Sequence, residues 1–231
     1  MNPMTKLQKI YTILLFIAIF IALILVVIKP YAVAKYIDYV KKNQNGYYIC
    51  TLNKNGEHIG KSYLVKNNKK ELIKTTISNS CIFSKPKTNN GFFIFAIGGG
   101  GGATPYESGN SGQVVSKFRF LNSPFIIIKI GKGGNGTILK NNSEFIDAKD
   151  GEATTINDLN IVANGGLKSS RMTPLGIEVK EDSSYISEKY RYLYDIAKSA
   201  KFGKGGQYVK YKKELRPTAE NGYDGAVIIV W

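Results

Sequence analysis

The sequence is poor in the residues from which many metal sites and catalytic sites are built. Its 231 residues include one His and two Cys. A closed zinc site made only of Cys and His needs four such ligands, one more than the chain has. Most Cys–His and Ser–His catalytic arrangements also place a histidine beside the nucleophile. We therefore expect no bound metal, no cofactor and no enzymatic activity.

Acidic residues are also scarce, and the excess positive charge is concentrated in the N-terminal part. Lys and Arg number 32 against 17 Asp and Glu, which gives a formal net charge of +15. Residues 50–90 alone carry eight lysines and two glutamates. Such a charge would suit nucleic acid, but it lies beside a hydrophobic segment, where each lysine near anionic lipid gains about 1 kcal/mol. We expect a membrane nearby and no nucleic-acid partner.

An uncharged run at residues 10–28 predicts a helix that spans the lipid bilayer. These 19 residues, IYTILLFIAIFIALILVVI, extend roughly 28 Å as a helix, close to the hydrocarbon thickness of a bilayer. A cleaved signal peptide would have a shorter apolar core of about 7–15 residues and a cleavage site soon after it. The Ala-Val-Ala at 32–34 fits such a site, but three residues separate it from this long core. We predict a retained helix after a short basic tail at 1–9.

The charges on either side of this helix do not fix its orientation by counting alone. Four lysines follow the run, against two lysines and the amino terminus before it, so the positive-inside rule slightly favours a cytoplasmic C-terminal part. The short basic tail is nevertheless typical of a signal anchor, and the two downstream cysteines suit an oxidising compartment. We predict a single-pass membrane protein whose C-terminal domain is extracytoplasmic or at the cell surface.

Residues 29–45 predict an amphipathic helical stalk. Pro30 suits the first turn of a new helix, and Val33, Ile37 and Val40 then fall on one stripe. A hydrophobic helix, a proline, an amphipathic continuation and a β-rich head also resemble a type IV pilin. The sequence departs from pilins because no Gly precedes the hydrophobic run and no Glu lies near its start.

Residues 46–90 predict a small, basic, β-rich connector that contains both cysteines. Cys50 and Cys81 fall on strand-like stretches. Outside the cytoplasm their pairing would close a loop of about 30 residues, worth roughly 3–4 kcal/mol. The alternative is two buried free thiols in a cytoplasmic protein.

The single histidine lies in a turn-like sequence. His58 belongs to Asn-Gly-Glu-His-Ile-Gly, and glycine-rich polar stretches of this kind form exposed turns. We expect a solvated surface side chain and no role as a ligand or base.

From residue 91 the sequence alternates strand-like runs with glycine loops, which predicts a β-sandwich or jelly roll. The β-rich run that ends at Trp231 predicts a central last strand. A phosphate-binding loop is excluded, because Pro105 stands where the helix after the glycine run would start, and Lys132 lies at the wrong position in the next glycine loop.

The glycine motifs of this half follow one another in a characteristic order. They are the glycine run at 98–102, Ser-Gly-Gln at 111–113, Gly-Lys-Gly-Gly at 131–134, GEATTI at 151–156, Ala-Asn-Gly-Gly at 163–166 and GYDGAVIIVW at 222–231. In this order they resemble the glycine-rich domain of phage tail-fibre tip proteins and of assorted bacterial surface proteins. The resemblance implies a jelly-roll-like sandwich, sometimes oligomeric. It also implies glycine segments that pack side by side and loops that contact receptors or neighbouring subunits.

The chain departs from that family in two respects. Its glycine runs are short, so we do not expect an extensive bundle of polyglycine helices. It also carries an insertion at about 167–202, in which an apolar stripe predicts a helix that either packs over a sheet or binds a partner. Tyrosine and arginine are enriched in binding hot spots, so the residues predicted to contact a partner are Tyr106, Tyr185, Arg191, Tyr192 and Tyr194.

Three functional hypotheses follow from these patterns. The first is a non-enzymatic, membrane-anchored protein that presents residues 91–231 for adhesion or assembly with a surface receptor, glycan or protein, including a second copy of itself. The second is a pilin-like filament subunit. The third is a carbohydrate-acting enzyme with a carboxylate pair, for which the candidates are Glu144, Asp147, Asp150 and Glu152; a solvated acidic loop is the competing interpretation.

Overall fold

The described part of the chain divides into a helical unit and a β-rich unit. The computed structural model describes residues 6–66, 69–87, 91–140, 144–168, 178–180, 193, 202–207 and 219–231. One compact unit ends at Lys42, and the other runs from Asn43 to Trp231.

The N-terminal unit is a single α-helix, α1, from Lys6 to Asn43. Its Leu, Ala and Lys residues favour helix, although β-branched Ile and Val are also frequent in it. The helix continues through Pro30, so the expectation that a new helix begins there is wrong. The proline removes one backbone hydrogen bond of the helix, and the helical conformation is kept on both sides of it.

Large apolar side chains are exposed along most of α1, including those of Ile10, Phe16, Phe20 and Val26. Within the residues that the structure describes, no helix is both long enough and apolar enough to cross a membrane.

The second unit contains the strands that the structure describes. Their bounds are β1 Gly46–Leu52, β2 His58–Lys66, β3 Lys69–Ser78, β4 Cys81–Ser84, β5 Gly91–Ile97, β6 Val114–Phe120, β7 Phe125–Ile128, β8 Ile138–Lys140, β9 Glu144–Ile146, β10 Thr154–Ile156, β11 Ile161–Ala163, β12 Glu178–Lys180 and β13 Ala226–Val230. A short 3-10 helix, Asn157–Leu159, lies between β10 and β11. The prediction of a mainly β protein is confirmed.

Seven of these strands form one sheet in the order β12–β6–β5–β13–β1–β2–β3. The last six pair antiparallel, whereas β12 pairs parallel with β6. The last strand in sequence, β13, lies between β5 and β1, which confirms its predicted central position. Strands of the predicted connector at 46–90 therefore share a sheet with strands of the glycine-rich part.

A tight turn at residues 53–57 joins β1 and β2. The backbone N–H groups of Asn55 and Glu57 both donate to the side-chain oxygen of Asn53, each at 2.9 Å. Gly56 has φ +78°, a left-handed conformation that glycine adopts without strain.

Successive strand residues point to opposite sides of a sheet, and the central strands β5 and β13 are buried on both sides, whereas the edge strand β3 is largely exposed. One face carries Phe92 and Ile94 of β5, and it packs against a second layer that includes Ile126 of β7 and Ile156 of β10. In this layer β4 pairs with β7, and β10 pairs with β11. The other face carries Phe93 and Phe95 and contacts the buried Leu193, which lies in a helical turn of the insertion. We conclude that the core is layered on both sides of β5 and β13.

Candidate functional site: the glycine bundle and its loop end

The glycine run that follows β5 lies at the centre of a bundle of extended segments. Along residues 98–103, successive backbone N–H groups donate in three directions in turn. Gly98 and Gly101 donate to segment 109–113, Gly99 and Gly102 to segment 149–152, and Gly100 and Ala103 to segment 219–225, all at 2.8–3.0 Å. A three-residue period is that of the polyproline II helix, which forms no hydrogen bonds within itself.

Three further segments donate to the carbonyl oxygens of the central one. Thr137 of segment 131–137 donates to Ala103, Gly166 of segment 164–167 to Gly99, and Gly206 of segment 203–207 to Gly101, at 2.7–2.9 Å. Six segments therefore surround one. We call this assembly the glycine bundle; it comprises residues 98–103, 109–113, 131–137, 149–152, 164–167, 203–207 and 219–225.

The six outer segments also bond to one another and close a ring around the centre. Gly112 donates to Gly203, Gly151 to Gly166 and Gly222 to Gly134, at 2.7–2.8 Å. Glycine is required in this packing: a Cβ atom built on any residue of the run at 98–102 would overlap a carbonyl oxygen of a neighbouring segment. The expectation that short glycine runs would not form an extensive bundle is wrong, because seven separate segments each contribute about one or two turns.

Polar side chains occupy the outer grooves of the bundle, where they accept backbone N–H groups that point away from the centre. Asp224 Oδ1 accepts from Gly133 and Asn221 Oδ1 from Gly136, each at 2.8 Å. Asp150 Oδ1 accepts from Lys168 at 2.6 Å, and Glu152 Oε2 accepts from Lys132 at 3.3 Å. Two of the four carboxylates considered for catalysis thus bind the backbone. Glu144 begins β9, and Asp147 is exposed.

At the end of the bundle farthest from β5, exposed apolar side chains emerge on its loops. Ala103, the last residue of the central segment, donates to Glu220 and accepts from Thr137 in the last hydrogen-bonded layer. The loop that follows is closed by Thr104, whose N–H donates to the carbonyl of Glu107. Tyr106 at its tip is 84% exposed. Three aliphatic residues lie at the same end of the bundle with exposed fractions of 42–47%: Ile138, Ile146 and Leu167. We call these four residues the loop end.

Of the residues predicted to contact a partner, one lies in the part of the chain that the structure describes, and it belongs to the loop end. Tyr106 lies there, whereas Tyr185, Arg191, Tyr192 and Tyr194 lie outside the described residues. The apolar members Ile138, Ile146 and Leu167 were missed by the sequence reasoning. The available signal was their position directly after glycine segments. Among the described residues, no cluster of His, Cys, Asp or Glu could hold a metal ion.

Most of the bundle lies in a stretch that matches a known protein family. Residues 75–185 match the family described as "Glycine-rich domain". The matched stretch is similar to known glycine-rich domains, and it covers just under half of the chain. No curated protein and no solved structure matches the chain significantly. The family match includes the central segment and four of the six segments around it, whereas 203–207, 219–225 and β13 follow it in sequence. The glycine-rich domain of this chain is thus completed in space by residues beyond the matched range.

The two cysteines of the chain form a disulfide in this domain. Cys50 on β1 and Cys81 on β4 are joined with their Cα atoms 6.1 Å apart. Both are buried, at 0% and 1% exposure. The bond links the main sheet to the strand pair packed on its face.

His58 is buried, which corrects the expectation of a solvated side chain. It begins β2 and is 7% exposed. Its Nε2 accepts the backbone N–H of Ile130 at 2.9 Å, next to the start of bundle segment 131–137. Within the described part of the chain, Nδ1 has no hydrogen-bond partner. Burial, and then the charges of Lys129 and Lys132, lower the pKa of His58 below its ordinary value.

This histidine predicts a loss of stability in mild acid. The unfolded chain takes up a proton at His58 near pH 6.5, whereas the folded protein resists protonation, since the proton would displace the Ile130 N–H. The free energy of unfolding should fall as the pH drops below about 6.5, by at most about 1.4 kcal/mol per pH unit for one proton. Urea unfolding at pH 7.5, 6.5 and 5.5 measures this slope. His58→Gln, which keeps an acceptor but does not titrate, should have a flatter slope; equal slopes would assign the effect to other groups.

Proposed function

We propose that this protein is a membrane-anchored, non-enzymatic, extracytoplasmic protein that uses its glycine-rich domain for adhesion or for assembly with a partner. The observation that carries the proposal is the loop end, where a bundle held by backbone hydrogen bonds presents Tyr106 and three aliphatic side chains to solvent. Binding residues are commonly found on loops that a rigid scaffold positions. Exposed aromatic residues at such a place suit the centre of an interface.

The packing of the domain supports a scaffold role. The two layers around β5 and β13 fit a jelly-roll-like sandwich, in which the strands hold one end of the bundle and leave the other end for contact. Asp150 and Glu152, two of the four candidate catalytic acids, accept backbone hydrogen bonds. This supports a binding protein over a carbohydrate-acting enzyme.

The proposed anchor is the uncharged stretch at residues 10–28. Its support is the sequence itself and the exposure of its apolar side chains, which a lipid bilayer would cover. With the short basic tail on the cytoplasmic side, the glycine-rich domain would lie outside the cytoplasm, where its disulfide persists.

Protease treatment of intact cells tests the proposed topology. Cells that express the full chain with a C-terminal tag are treated with a protease that cannot enter them, and the tag and a cytoplasmic control protein are then blotted. We expect the tag to be lost while the control protein remains. A tag that is cleaved only after lysis would overturn the proposed surface location.

A tyrosine substitution tests the role of the loop end. Tyr106→Ala should weaken binding of the purified protein to immobilised envelope fractions or glycans by about tenfold, the loss of one aromatic hot spot. Val162→Ser, which alters a half-exposed residue on β11 away from the loop end, is the matched control and should bind like wild type. Equal binding by both variants would contradict the assignment.

A pilin-like filament subunit is the second candidate. One observation favours it: α1 runs unbroken through Pro30 to Asn43, giving a helix of 38 residues that could pack against copies of itself. This reading requires processing just ahead of the hydrophobic run. Mass spectrometry of the mature protein should then find the N-terminus near Ile10 or Tyr11; an intact N-terminus would rule it out.

A further inference from the structure

A small polar cavity lies between β1–β3 and β4, away from the loop end. Its volume is about 80 Å³. The polar side chains that line it are those of Tyr48, Ser62, Lys74, Thr76 and Ser84, which supply four hydroxyl groups and one ammonium group. None of the residues that line it is acidic. The cavity therefore presents hydrogen-bond donors and a positive charge without a competing carboxylate.

A glycine in the middle of β2 makes the room for this cavity. A Cβ atom at Gly60 would overlap the Tyr48 hydroxyl and would lie 2.9 Å from Thr76 Oγ1. Glycine inside a strand weakens it, and it often marks a place where another group must approach closely. Here the group that approaches is the phenol of Tyr48, whose ring is buried in the core.

The hydroxyl groups of Tyr48 and Thr76 hydrogen-bond to each other, and their bonds to backbone carbonyls are long. The Tyr48 hydroxyl donates to the carbonyl oxygen of Ile82 at 3.4 Å, and the Thr76 hydroxyl donates to that of Gly60 at 3.5 Å. Both distances are long for O–H···O bonds, which are usually 2.5–3.0 Å. Burial raises the pKa of Tyr48 to about 12, so the phenol stays protonated and can donate to an anion.

We propose that this cavity binds one phosphate group, either free or carried on a larger molecule. The cavity volume of about 80 Å³ is well above the roughly 10–15 Å³ that one water requires, so the cavity has room for a small anion. Hydroxyl donors and an ammonium group form strong, charge-assisted hydrogen bonds to phosphate oxygens. The excess of lysine in residues 50–90, the part of the chain that lines the cavity, favours an anion over a cation.

Calorimetric titration of the full chain with inorganic phosphate tests the proposal. The protein is kept in a non-ionic detergent, and sodium chloride holds the ionic strength constant. We expect saturable binding of one phosphate per chain. Lys74→Met should weaken it at least tenfold, and Tyr48→Phe at least fivefold. Lys66→Met removes the same charge from an exposed position of β2 outside the cavity, and it should change the affinity less than twofold.

Two results would overturn the phosphate site. One is the absence of saturable binding to wild type, which would mean that the cavity holds water only. The other is equal weakening by Lys74→Met and Lys66→Met, which would mean a diffuse attraction to lysines. If Tyr48→Phe fails to give the wild-type circular dichroism spectrum, the comparison of the two lysine variants decides alone.

The source of the phosphate is distinguished by two further ligands. Glycerol 3-phosphate represents a soluble ester, and short-chain phosphatidate mixed into the detergent represents a lipid headgroup, with phosphatidylcholine as its control. For each ligand, the rise in Tm of wild type is compared with that of Lys74→Met. A Lys74-dependent rise that is greater with phosphatidate than with glycerol 3-phosphate assigns a lipid source, and equal rises assign a soluble one. A rise in Tm that is the same in wild type and in Lys74→Met with every ligand overturns the site. None of these results depends on the loop end, so they test the phosphate site independently of the proposed adhesion function.

Discussion

Gly100→Ala is expected to unfold the glycine-rich domain at physiological temperature. Gly100 lies in the central segment, bonded to Tyr223 through its N–H and to Gly134 through its carbonyl oxygen. A methyl group there would overlap the carbonyl oxygen of Lys204. Overpacked cores usually lose about 1–3 kcal/mol, because side chains can shift. Here the neighbour is backbone that is itself hydrogen-bonded on several sides, so we expect a loss of about 4 kcal/mol or more.

The matched control for this prediction replaces a side chain that points out of the bundle. Lys204→Ala changes an exposed residue of the outer segment 203–207, and surface changes of this kind usually alter stability by less than about 0.5 kcal/mol. Gly205→Ala, one residue further, should again be severe, because its Cβ atom would overlap the carbonyl oxygen of Gly109. Urea unfolding followed by circular dichroism measures all three. A Gly100→Ala protein as stable as Lys204→Ala would show that the bundle is not closely packed.

The strands were predictable where local sequence alone specifies them. The run at 91–97 combines aromatic and β-branched residues and forms β5 with those bounds. The turn at Asn53 was predictable because asparagine and glycine satisfy it locally. The resemblance to a glycine-rich family was likewise carried by short motifs, and the family match confirms it.

The bundle was not predictable in the same way, since its hydrogen bonds join residues far apart in sequence. Gly100 bonds to Tyr223, and Gly102 bonds to Lys149. A single glycine pair such as the one at 165–166 carries no information about which segments surround it. The length of each run was therefore a poor guide, and the number of separate glycine segments was the relevant quantity.

The environments of His58 and of the loop end also depend on contacts between residues far apart in sequence, which local sequence does not reveal. The turn-like sequence around His58 indicates exposure, but the chain near Ile130 returns to cover it and uses its Nε2 as an acceptor. Tyr106 was predictable as an exposed loop tyrosine because Thr104 and Pro105 predict a turn after the glycine run. Ile138, Ile146 and Leu167 come to the same end of the bundle as Tyr106 only through hydrogen bonds between segments far apart in sequence.

Removal of the disulfide is expected to cost the second largest amount of stability. Cys50 and Cys81 are 31 residues apart, and the loop-entropy relation gives about 3–4 kcal/mol for a cross-link of this length. In a chain of this size that corresponds to a fall in Tm of roughly 6–16 °C. The double variant Cys50→Ala with Cys81→Ala should therefore unfold at a clearly lower urea concentration than wild type.

Reduction provides the control that separates the cross-link from side-chain packing. Both sulfur atoms are buried in the core, so the double variant loses some packing as well as the loop constraint. Wild type unfolded in the presence of a thiol reductant loses the constraint alone, and it should give most of the same loss. The reductant should leave the double variant unchanged. If reduction does not lower the stability of wild type, the bond contributes nothing to folding. If wild type isolated from cells carries two alkylatable thiols after unfolding, the bond does not form there, and the extracytoplasmic location proposed for this domain loses its support from the cysteines.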